Sequence, residues 1–134
     1  IRVKYYYSGG INMWRTLLKA ALKVGLVEGR HPLPVDEYVF EQLVQEGGLA
    51  DKIPQLQAKA EKWLEDKEDE IQTVKGIVNS DDYVPLVIDL YVTGMTPILT
   101  AFLKVWNQSW KNMGTLTLYH YDLSTKTYWS EEWR

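Results

Sequence analysis

The chain has 134 residues, 46% of them apolar, with 15 Lys and Arg against 18 Asp and Glu for a formal net charge of −3. These values place it among folded globular domains and exclude both a disordered chain and one wholly embedded in a membrane. With no cysteine, disulfide frameworks, thiolate metal sites and cysteine nucleophiles are excluded too, and at this length one core forms without such support, so a single domain over residues 1–134 is expected.

Arg2 to Tyr7, rich in Val and Tyr, reads as a short strand ended by Ser8-Gly9-Gly10. From Asn12 as N-cap, the apolar residues Trp14, Leu17, Leu18, Ala21 and Val24 recur at helical spacing and predict an amphipathic helix to about Val27. On another side of that helix Arg15, Lys19 and Lys23 recur every fourth residue, within an arc of about 80°. With Arg2, Lys4 and Arg30 they make residues 1–30 a basic arm, in which Glu28 is the lone acid. Such an arm suits contact with the phosphates of nucleic acid, while Tyr5, Tyr6 and Tyr7 suit base stacking or a protein interface. A helix face solvated by water, or one turned to acidic residues of the same fold, accounts for the same stripe.

His31-Pro32-Leu33-Pro34 must run extended, because each proline drives its predecessor out of the helical region. Asp36 then caps a short predicted helix that buries Val39, Phe40, Leu43 and Val44 and stops at Gly47-Gly48. A long third helix opens at Asp51 and Pro54 and buries Ile53, Leu56, Ala60, Trp63, Leu64, Ile71, Val74 and Val78. Its acid-rich run from Glu61 to Glu70 reads as a solvated surface, and residues 31–82 together hold thirteen Asp and Glu against five Lys.

Between Tyr83 and Trp106 the formal charges are Asp89 and Lys104. Asp89, Gly94 and Pro97 argue against a membrane span, and the segment reads as two buried helices, about 83–93 and 97–113, broken at Thr93-Gly94-Met95-Thr96-Pro97. After Gly114 the period changes to two through Thr115 to Tyr121, a strand, and Thr127-Tyr128-Trp129 returns as the second arm of a hairpin. The fold class expected is therefore mainly α: a bundle of about five helices with short β segments at the N-terminus and a C-terminal β-hairpin. Within it, residues 1–30 form the basic strand and helix, 35–113 the helical body and 114–134 the aromatic-rich tail.

Chemistry leaves few marks. His120 and Asp122 lie two apart on one strand face and His31 far off in a loop, a pattern short of a metal site. No triad context, flanking carboxylate pair or glycine-rich phosphate loop is present, so no catalytic residue, metal or cofactor is assigned. Asp89 is the acid most in need of a partner, and Lys104 or a tyrosine hydroxyl is the expected one. The tail from Tyr128 to Trp133 carries two tryptophans beside acids, and Trp129 and Trp133 are expected to be buried in the assembled state.

These residues point to a non-enzymatic structural or assembly subunit. It would self-associate through Tyr5, Tyr6, Tyr7, Trp129 and Trp133 and touch nucleic acid through Arg2, Lys4, Arg15, Lys19 and Lys23. Its layout, a basic arm ahead of a helical body in a chain of this size, is similar to that of the small helical coat proteins of filamentous archaeal viruses. The resemblance implies self or a related subunit as partner, nucleic acid as a second, and a virion or cytoplasmic location; a membrane surface fits less well. A protein-binding adaptor and a small enzyme without a linear motif are the alternatives.

Overall fold

A computed structural model of the chain describes residues 21–29, 33–35, 37–41, 49–77, 85–93 and 96–134, with backbone alone for 49–51 and 74–77. In chain order the elements are β1 (Leu22–Val27), β2 (Glu37–Phe40), α1 (Leu49–Ile77), β3 (Leu86–Tyr91), α2 (Thr96–Ser109), β4 (Gly114–Asp122) and β5 (Thr127–Trp133). They form one five-stranded sheet in the order β2-β1-β3-β4-β5. β2, β1, β3 and β4 run parallel, and β5 returns antiparallel on β4.

The expected five-helix bundle is therefore wrong: the described residues hold two helices and a mixed sheet, an α/β fold. Three predicted helices meet strands instead. The helix drawn to Val27 gives way to β1 from Leu22, the one after Asp36 to β2, and the one over 83–93 to β3. The physical reason is shared. LKVGLV, EYVF and LVIDLY are short runs rich in β-branched and aromatic residues, and over so few residues their apolar positions fit a helix stripe as well as a strand face, so periodicity does not separate the two. With the bundle goes the likeness to helical coat proteins. The predicted N-terminal strand, His31 and Gly47-Gly48 lie outside the described residues.

α1 and α2 pack together on one face of the sheet. Val24, Leu26, Leu86, Ile88, Leu90, Leu116 and Leu118 point up from alternate strand positions and meet Leu56, Ala60, Leu64 and Ile71 of α1 and Ile98, Ala101, Phe102, Val105 and Trp106 of α2. At roughly 1.5–3 kcal/mol for each large side chain removed from water, this layer supplies most of the favourable energy of folding. Gly114 is where it comes closest to the backbone: a Cβ there would strike the Leu86 carbonyl oxygen, and the Trp106 ring already lies 3.1 Å from that position.

The α1 stripe contains one residue the sequence reading left on the solvated side. Lys67 falls between Leu64 and Ile71 and is only 7% exposed. Its Nζ lies 2.6 Å from Glu37 Oε1 on β2 and 3.3 Å from Glu70 Oε2, and it sits over the Trp63 ring, 5.5 Å from the centroid. Trp63 Nε1 donates to the same Glu37 carboxylate at 3.1 Å. Burial lowers the Lys67 pKa, but the hydrogen bond and charge of Glu37, helped by Glu70, outweigh it and leave it raised. α1 is thus tied to the edge strand β2 by a polar contact inside an apolar seam.

Crossovers use both faces. Leu33, between β1 and β2, lies on the side away from the helices, its Cδ1 3.2 Å from where a Gly25 Cβ would stand, with the Tyr38 ring at 2.5 Å. This connection steps from β1 to β2 in one direction, while the helical crossovers step toward β3 and β4 in the other. Reversing direction and face together keeps all three crossovers the same hand.

Candidate functional site

In open sheets of this strand order, ligands commonly bind beyond the carboxyl ends of the two central strands, whose connections leave in opposite directions. Those strands here are β1 and β3. Their ends are stapled by protein: Thr93 Oγ1 donates to the Val27 carbonyl at 2.9 Å and accepts from the Val27 amide at 3.2 Å, while the Glu28 amide bonds Phe40 O at 2.9 Å. Exposed aromatic residues gather instead at the C-terminal hairpin.

Alternation along β4 and β5 sends the side chains to two faces. Away from the helices, Tyr91 stacks on Tyr119 with centroids 4.7 Å apart, and Tyr128 meets Tyr91 edge-on at 5.1 Å and Tyr121 at 5.2 Å. Lys23, Asp89, Thr117 and Glu132 form the next row across the same face, as the register requires. Burial first, then the negative potentials of Asp89 and Tyr91, raise the Tyr119 pKa, and burial with Tyr121, Tyr91 and Tyr38 raises that of Tyr128. Both phenols stay protonated at neutral pH and remain hydrogen-bond donors.

On the helix face, His120 stacks on Trp129 at 4.3 Å and its Nε2 lies 2.9 Å from Glu131 Oε1. Farther along, Trp133 Nε1 donates to Asn107 Oδ1 of α2 at 3.0 Å, anchoring the strand's end to the body. The hairpin turn is set locally: Asp122 Oδ1 accepts from the Ser124 amide and hydroxyl, which lowers its pKa, and Lys126 adopts φ 56°.

β5 is an edge strand, seven residues long and exposed over most of its length, with β4 on one side. Trp129 is 51% exposed, Tyr121 47% and Leu123 81%. This concentration of exposed aromatic and apolar surface on an open edge can bind another strand or another apolar surface. His120 is engaged by Glu131 and Trp129, and among the described residues no hydroxyl is bonded to it. Among the described residues no group of three His, Asp or Glu is placed to hold a metal.

The predicted site residues divide as follows. Trp129 and Trp133 both lie on β5, the first half-exposed and the second partly covered by α2. Lys23 lies on β1 instead of a helix, directly across from Asp89, so its spacing with Arg15 and Lys19 is not that of one helical face. Its charge acts on Asp89, whereas Lys104, the partner expected from the sequence, belongs to α2 on the opposite side of the sheet. Arg2, Lys4, Tyr5, Tyr6, Tyr7, Arg15 and Lys19 lie outside the described residues. The tyrosine cluster was missed as a site, although the period-two run through Tyr119 and Tyr121 put both on one face. Tyr91 had no such signal, because it was read as part of a helix.

No protein family matches the sequence, and neither a characterised protein nor a solved structure is significantly similar to it.

Proposed function

We propose that the chain is a non-enzymatic assembly subunit that associates with copies of itself through its C-terminal hairpin. The observation that carries this reading is β5: a seven-residue edge strand, exposed on its outer side and flanked on both faces by aromatic side chains. Natural sheets protect long edges with proline, lysine, bulges or a covering element, and β5 has no proline or lysine in its length. Its aromatic neighbours supply large, rigid contact area at small entropic cost, which favours protein contact over simple solvation.

Contact with nucleic acid through Arg2, Lys4, Arg15 and Lys19 is the second part of the proposal and rests on their charge alone. Lys23 adds little to it, because Asp89 faces it across the sheet. Light scattering after size exclusion tests the first part: dimers or larger particles at micromolar concentration support it, and a monomer at high concentration removes it. An adaptor would instead stay monomeric until a partner is added.

A further inference from the structure

We propose that two copies join β5 to β5 antiparallel about a two-fold axis at Ser130, making one continuous sheet of ten strands, five from each copy. This rests on the self-association reading above and names its surface and register.

The register follows from geometry and charge. Opposed residues in an antiparallel pair share a face, so a two-fold axis perpendicular to the sheet must set one residue of β5 against its own copy. Ser130 is the middle residue of Thr127–Trp133, and an axis there pairs all seven positions. Glu131 then lies opposite Trp129, Glu132 opposite Tyr128 and Trp133 opposite Thr127, so no carboxylate directly faces a carboxylate. Moving the axis to Glu131 sets that acid against itself. Moving it to Trp129 leaves Glu132 and Trp133 opposite the turn residues Lys126 and Thr125. Like charge thus penalises the register centred on Glu131, and the one centred on Trp129 gives up strand pairing at the end of β5, whereas the register centred on Ser130 keeps all seven positions paired with no acid facing an acid.

Neighbouring contacts agree with that pairing. His120 Nε2 already lies 2.9 Å from Glu131 Oε1, so that carboxylate keeps a hydrogen-bond partner where it meets the second copy's Trp129. On the other face the second copy's Glu132 would reach the row of Tyr128 and Tyr121, whose hydroxyls can donate to it. Trp129, half-exposed in one chain, gains a neighbour on its open side.

Ser130 is exposed and its side chain makes no hydrogen bond among the described residues, so its substitution should leave the monomer fold intact. Ser130→Lys and Ser130→Glu each place like charges across the axis, and each alone should weaken dimerisation roughly fivefold, whereas an equimolar mixture should restore it. Ser130→Cys, in a chain without cysteine, should cross-link to itself under mild oxidation, and Tyr128→Cys should not. Dimers that tolerate both charges and fail to cross-link at position 130 would overturn the register while leaving self-association standing. A wild-type monomer would remove both.

Discussion

Asp89 occupies the middle of the tyrosine face, half-buried, with Lys23 as its cross-strand neighbour. Burial raises its pKa, and the Lys23 ammonium offsets part of that rise. An acid whose folded pKa is raised binds protons more readily when folded, so its favourable contribution is complete below the unfolded value of about 3.9 and is lost as pH rises through the folded value. Asp89→Asn should therefore stabilise the protein at pH 7 relative to the parent, with the difference vanishing toward pH 3 in urea unfolding; a loss of stability at pH 7 would contradict this. Gly114 is constrained by space instead of charge. The methyl of Gly114→Ala would meet the Leu86 carbonyl, a backbone atom held by strand pairing, and should cost roughly 2 to 3 kcal/mol of unfolding free energy. The β4 residue needs no positive φ for this; close approach is sufficient.

At the scale of elements, the join between α1 and β2 depends on a lysine in an apolar stripe. Lys67, Glu37 and Trp63 are partly shielded from water, between the weak pairs of an open surface and the strong ones of a sealed core. A double-mutant cycle of Lys67→Met with Glu37→Gln should give a coupling energy of about 1 to 2 kcal/mol, since glutamine keeps an acceptor for Trp63 and methionine keeps the packed stem. A coupling near zero would make the contact incidental. Because the Lys67 pKa is raised, this contribution holds below the normal lysine range and falls away as the solution becomes more alkaline than that. The end of α2 has a different tie: Trp110, the residue after its last turn, donates from Nε1 to Glu68 of α1 at 3.2 Å, adding one polar bond to the apolar contact between the helices.

For the whole molecule, sheet order governs which parts open first. β1, β3 and β4 each have two strand neighbours, while β2 and β5 have one. Hydrogen exchange should find the slowest amides on β1, β3 and β4, and the outward amides of β5 fast in dilute solution. Raising the concentration should slow those β5 amides if the edge pairs with a second copy, and uniform protection across β5 at all concentrations would argue against an open edge.

The fold is legible in the sequence to a degree that differs between elements. The stripe Leu56, Ala60, Leu64, Ile71 repeats over many turns and marks α1 without any knowledge of the fold, and the same period applied strictly would have placed Lys67 among them. Thr115 to Tyr121 alternates because β4 has one apolar and one polar face, and the hairpin follows from the turn residues behind it. Composition excluded thiol chemistry, and the acids and aromatic residues of the tail drew attention to Trp129 and Trp133. Tertiary structure alone decided the rest. LVIDLY and LKVGLV became strands because the fold set parallel neighbours beside them that satisfied their backbone groups, while the two helices covered one of their faces, and no local period records a distant partner. For the same reason the pairing of Lys23 with Asp89 and the union of Tyr91 with Tyr119 and Tyr128 exist only once the strands are set side by side.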